Sequence, residues 1–256
     1  MSRIAGKSSE RNTMLPNSLL WANFHGPEKY TSDDVVITPL TAGDGRCIGV
    51  TLPMLDQRDT AYQQYAGKRI RHGDRHFSLV TELPSSGDAP QTWKFGAARK
   101  APWYDAVLAA GRPPILVLAH VRCGRAVISV LQDGMPTVAS VPGDMLGTLV
   151  ANHPIFHRVL AQNPGSPVVL PIREFGEPHP LVGPPAARAL QHAGVDRDIH
   201  TSNGIPVLRV GKTGSWSQLG IEPRMDPAGH PLPPFYSFAA LNRASAQRLP
   251  AVHSGH

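Results

Sequence analysis

Several groups of residues in this 256-residue chain have types and spacings that could do chemistry. His120 closes an apolar run and Cys123 follows three positions later, an imidazole and a thiol of the kind that cooperate in nucleophilic hydrolysis. Residues three apart on extended chain lie about 10 Å apart, so only a tight turn would make them a dyad. The plainer expectation for Cys123 is a small buried residue leading into a hairpin. Cys47 follows Gly43-Asp44-Gly45-Arg46, but the β-branched run Ile48 to Leu52 reads as a strand, so Cys47 is expected to pack. His72 and His76, and likewise His153 and His157, have the spacing that puts two imidazoles on one helical face. Neither pair has the Glu directly after the first His that a zinc peptidase helix uses as its base. Gly73-Asp74 opposes a helix at the first pair, and Pro154 allows one at the second only if His153 stands at its start. A third ligand would have to come from elsewhere, such as His179 or His200. Exposed histidines and no metal are the expectation.

Lys68, Arg69, Arg71, His72, Arg75 and His76, with Asp74 among them, form the densest basic stretch. It is read as a solvated loop, with binding of an anionic ligand as the alternative. Gly211-Lys212-Thr213-Gly214-Ser215 lacks the full phosphate-loop pattern and reads as a basic turn. No Gly-x-Ser-x-Gly is present for a serine hydrolase. Trp103 and Trp216 are expected to pack or to anchor loops. No motif implies a cofactor, and none is expected.

The elements that must hold these residues can be read from periodicity and turn signals. Residues 1–34 form a polar arm with one apolar island, Leu19 to Phe24. Val35 to Thr38 and Cys47 to Leu52 flank Asp44-Gly45 and predict a hairpin. Asp56 to Lys68 predicts a helix, and Phe77 to Thr81 and Thr92 to Phe95 predict short strands, completing a β-rich portion over 35–100. A boundary falls within Pro84 to Pro102, where turn residues concentrate. From 101 to 249 strands alternate with helices, and 250–256 should fray. Ile115 to His120 is a continuous apolar run of the kind buried on both sheet faces. Arg125 to Leu131 and Thr137 to Val141 flank Asp133-Gly134 and predict a second hairpin. The apolar stripe over Gly143 to Leu160 is broken at Pro154, so two helices are expected. Val168 to Leu170 is the next buried strand, and Pro184 to Ala193 is a helix with proline at its start and Gly194 at its end. Asp198 to Thr201 and Pro206 to Val210 are strands, Gly211 to Pro234 is irregular, and Phe235 to Leu249 is a terminal helix. The fold class is α/β, a mixed and largely parallel sheet flanked by short helices, with a smaller N-terminal β-rich portion.

Composition bounds the rest. The chain is 41% hydrophobic and 17% charged, enough for a buried core. Its 26 prolines and 24 glycines, about a fifth of the residues, call for many turns and short elements. Two cysteines exclude a disulfide framework and a four-thiolate zinc site. The apolar runs are strand-sized, well short of the roughly 18 residues of a bilayer span, so no membrane is expected. Met1 to Thr13 has no apolar core of a signal peptide, which makes the cytoplasm the default and leaves other export routes open. A formal charge of +6 invites a nucleic-acid partner, but the arginines are scattered and no recognition motif accompanies them, which argues against one.

A strand ending in His, then a hairpin, helices, a second buried strand and another helix is an order with a parallel. Residues 100 to 211 resemble the caspase/gingipain-like domains embedded in large actinobacterial proteins, sometimes labelled "lonely Cys" domains. The resemblance implies that His120 occupies the general-base position at the end of the first strand. It implies a nucleophilic Cys at the end of the next, after Val168-Val169-Leu170. Pro171-Ile172-Arg173-Glu174-Phe175-Gly176 stands there instead, without Cys, Ser or Thr. Val121-Arg122-Cys123-Gly124 follows His120 where the family commonly has Gly. The resemblance therefore implies a catalytically degenerate domain that binds an unknown protein or peptide partner, in a toxin-like or secreted system. Arg173 and Glu174 would line a cleft beside His120, with Arg122 as a further binding residue. The alternative is an active cysteine-dependent hydrolase using His120 with Cys123.

Overall fold

The structure is a computed structural model that describes residues 30–41, 45–53, 75–83, 92–132, 134–172, 181–210 and 217–241. A single helical turn over Ser32–Asp34 leads into β1 (Thr38–Thr41) and β2 (Cys47–Thr51), then β3 (His76–Leu83), β4 (Thr92–Lys100), α1 (Tyr104–Ala110) and β5 (Ile115–Leu118). There follow β6 (His120–Arg122), β7 (Arg125–Gln132), β8 (Met135–Val141), α2 (Gly143–Asn152), α3 (Pro154–Gln162) and β9 (Val168–Leu170). The chain continues through α4 (Gly183–His192), β10 (Ile199–Ser202), β11 (Gly204–Val210), β12 (Ser217–Pro223) and β13 (Phe235–Phe238).

The expected α/β fold is present. Its main sheet has the order β1-β2-β5-β9-β10-β13, with the four inner strands mutually parallel and the two edges antiparallel to their neighbours. Parallel strands need cover on both faces. On one face Val50, Ile115, Val117, Val168, Leu170 and Ile199 pack with α2, α3, α4 and the inner side of β7 in the larger core. On the other, Leu116 and Val169 pack with Trp103, Val107, Phe77, Ile221 and Phe235 in a smaller one. Trp103 is 2% exposed, edge-on to Phe235 at 4.9 Å, which bears out its packing role.

Two smaller sheets flank the main one, in the orders β11-β12-β3-β4 and β6-β7-β8. Strands on the two sides of residues 84–102 share sheets: β2 pairs with β5, and β3 pairs with β12. The β-rich N-terminal portion is thus built into both larger sheets.

Most expected elements of the second half stand as read. The β7–β8 hairpin turns at Gly134 (φ +76°), α2 and α3 separate at His153-Pro154, and α4 opens on Gly183-Pro184-Pro185 with Gly194 in the left-handed region after its end. The first hairpin pairs Thr38–Thr41 with β2, three residues beyond the expected Val35 to Thr38. Val35 instead bridges Val130 of β7. Two readings are corrected. Ser217–Pro223, expected to be irregular, is a strand, because Leu219 and Ile221 alternate into the smaller core while β3 and β11 supply pairing on both sides. Phe235–Phe238, expected to begin a helix, is a strand antiparallel to β10, with Phe235 buried against Trp103 and Phe77. The expected helix over Asp56 to Lys68 and the remainder of the terminal one lie outside the described residues, as does most of the arm. Among the described residues no helix is long and apolar enough to cross a membrane.

Candidate functional site

In open sheets with parallel strands, ligands bind beyond the carboxyl ends of those strands. Here β5 and β9 are hydrogen-bonded neighbours, with Ile115 opposite Val168 and Leu116 opposite Val169, so both end on one edge. The apolar run leaves the sheet at Leu118, whose carbonyl accepts from Leu52 N at 2.9 Å. Two residues later His120 begins β6, half-buried and directly opposite Val127 of β7.

Strand parity gives the face on which His120 lies. Val121, Ala126 and Ile128 turn into the larger core, so His120, Arg122 and Arg125 share the opposite face. Arg122 is exposed, and its cross-strand neighbour Arg125 donates from Nε to Ser140 Oγ at 3.1 Å and from Nη2 to Ser140 O at 3.0 Å. Farther along the same face of β7, Ser129 Oγ donates to Pro53 O at 2.7 Å, beside the carboxyl end of β2. An imidazole and a guanidinium therefore stand together beyond the carboxyl edge.

Cys123 is not the small buried residue expected. It is exposed, at the apex of the two-residue turn that joins Arg122 to Arg125, with φ +50° and Gly124 at φ +66°. That combination is the hairpin turn whose twist matches the strands it connects. Because 120–122 is extended, the backbones of His120 and Cys123 lie about 10 Å apart, and this turn does not fold the thiol back on the imidazole. A Cβ on Gly124 would come within 2.5 Å of Leu181 Cδ1, so the turn packs against the end of the connection from β9 to α4.

The end of β9 is closed. Ile172 is 1% exposed, its N–H donates to Leu170 O at 2.9 Å, and its carbonyl accepts from Ser202 Oγ at 2.6 Å. Ser202, on the neighbouring β10, is itself buried and committed to that bond. Arg173 and Glu174 lie outside the described residues.

No protein-family model, curated protein or solved structure matches the chain.

The other candidate residues are dispersed. Cys47 is half-buried at the start of β2 and packs against the larger core, as expected. His153, expected to be exposed, is 9% exposed: it caps α3, with Nδ1 accepting from Ile155 N at 3.1 Å. Burial holds its pKa below the usual value, against the opposing pull of Asp33. His76 lies edge-on to Tyr104, ring centroids 5.2 Å apart, and His72, His179, Trp216 and 211–215 lie outside the described residues. Among the described residues no three His, Cys, Asp or Glu side chains are grouped to hold a metal.

One histidine, considered from the sequence only as a third metal ligand, has a different setting. His200, mid-strand in β10, is 5% exposed, with Nδ1 2.8 Å from Ser237 Oγ, Nε2 without a hydrogen-bond partner, and Trp103 at 5.4 Å between ring centroids. Burial pushes its pKa down to about 4, with Asp198 opposing. Polar residues in a four-residue strand carry no mark of the aromatic core that covers them.

Proposed function

We propose that this chain is a catalytically degenerate caspase-like domain that binds a peptide or protein partner beyond the carboxyl edge of its main sheet, beside His120 and Arg122. One observation carries the reading: β5 and β9 are parallel neighbours, His120 follows the first, and half-buried Pro171 with buried Ile172 follows the second. A thiolate mechanism needs a nucleophile at that second end, within reach of the imidazole. An isoleucine whose side chain is in the core and whose carbonyl is bonded to Ser202 offers none. The groups at this edge, an imidazole and an exposed forked guanidinium, suit recognition of an extended chain and its carboxylates.

The test uses the purified full chain. Panning a displayed peptide library should enrich sequences that bind in about the micromolar range, and His120→Ala with Arg122→Ala should weaken them about tenfold or more. Undiminished binding in that double variant overturns the site. Hydrolysis of a fluorogenic peptide library that disappears in Cys123→Ala overturns the degenerate reading in favour of a thiol hydrolase.

A further inference from the structure

We propose that the outer edge of β4 is a docking site for an acidic, extended segment of a partner protein, which adds to the four-stranded sheet as a fifth strand. β4 ends the order β11-β12-β3-β4, and among the described residues it is paired on the β3 side alone. An edge strand presents a row of N–H and C=O groups that an incoming chain can complete. β4 is nine residues long, and seven of them are exposed.

The charge on this edge has one sign. Lys94, Arg99 and Lys100 lie on β4 with no acid among them, and no carboxylate of the described residues pairs with Lys94 or Arg99. Lys100 is engaged differently, its Nζ 4.5 Å from the centre of the Tyr104 ring. The acid opposite this strand is Glu82, in register with Trp93.

A β-bulge sets the spacing of the two remaining cations. Residues 94 and 99 differ by an odd number, so on a regular strand they would lie on opposite faces. The register shifts between Ser78 and Val80, so that Lys94 stands opposite Thr81 and Arg99 opposite Phe77. Thr81 and Phe77 are four residues apart on β3 and share a face, hence so do Lys94 and Arg99, about 13 Å apart along the strand. A fifth strand with carboxylates four residues apart meets both.

Bulges and lysines also guard edges against aggregation. Here they oppose self-pairing in particular, because two β4 edges would bring six cations to one seam. Against an acidic strand the same charges attract, which makes the edge selective.

The probe is a fluorescein-labelled Val/Thr peptide with two glutamates four residues apart, measured by anisotropy with the full chain. It should bind about tenfold more tightly than the same composition with glutamates three apart, which face opposite ways. Lys94→Glu with Arg99→Glu should abolish that preference and weaken binding at least tenfold. Amide hydrogen exchange in residues 92–100 should slow on binding. Equal affinity for the two spacings overturns the proposal. So does full affinity after N-methylation of alternate peptide nitrogens on both edges, which leaves the charges but removes the ladder. Displacement of the peptide by an oligothymidylate that binds more tightly assigns the edge to nucleic acid and overturns it as well.

Discussion

His200 should make the protein lose stability in mild acid, beginning well above the range in which carboxylates titrate. Its imidazole lies under Trp103 with one nitrogen bonded to Ser237 Oγ and the other unpartnered, a site that accommodates a neutral ring and not a cation. The unfolded chain binds the proton near the ordinary value of 6.5, whereas the native chain binds it only near 4. Between these values the unfolded state holds more protons, so stability falls as pH falls. At 1.36 kcal/mol per pH unit the loss reaches about 3 kcal/mol at pH 4 and levels off just below it, as the native ring is protonated too. Because β13 is an edge strand joined to β10 by this pair, its amides should lose exchange protection first. The assay is urea unfolding across this window for the wild type and for His200→Gln, which keeps a partner for Ser237 and does not titrate there. The wild type should lose about 3 kcal/mol more than the variant between pH 7 and pH 4. Parallel curves would refute the argument, because His153, whose pKa is also lowered, and the carboxylates are common to both proteins.

Three further outcomes are expected. Gly147→Ala should cost about 2 kcal/mol or more in thermal or urea unfolding despite alanine's better helix propensity, because the added Cβ would stand 2.3 Å from Ala186 O where α2 crosses α4. Cys123→Asn should raise stability by about 0.5 kcal/mol, since asparagine tolerates the left-handed φ of +50°, and should leave peptide binding unchanged. Ile172→Cys should not restore hydrolysis, and its thiol should react with a disulfide reagent only as fast as the chain opens, because the position is 1% exposed.

Legibility followed the range of the forces. Local rules were enough for the β7–β8 turn, for the break at Pro154 and for α4, since proline geometry and left-handed glycines act within a few residues. They failed at β12 and β13, whose partners β3 and β10 lie far away in sequence and supply the pairing that a Gly- and Pro-rich stretch does not announce. Cys123 was misplaced because the sequence pattern Arg-Cys-Gly-Arg hides a two-residue turn with cysteine where asparagine or glycine is usual. His153 was misread as exposed because an imidazole at a helix start can replace the usual hydroxyl or carboxamide cap, and the capping geometry buries it.

The closed end of β9 and the open face of β6 have a common cause. Ser202 can reach the Ile172 carbonyl only because β10 lies beside β9 in parallel register, with Thr201 opposite Leu170. That bond fixes the turn after β9 and directs the Ile172 side chain into the larger core, where a reacting group would be out of reach of substrate. At the end of β5 the Leu118 carbonyl accepts from Leu52 N of the β2 side, and no residue corresponding to Ile172 is drawn into the core there. The chain instead crosses at once into β6, which buries Val121 and leaves His120 and Arg122 on the other face. The edge therefore carries His120 and Arg122 on a paired ribbon while Ile172 after its second strand is held by packing, the division that the proposed binding surface requires.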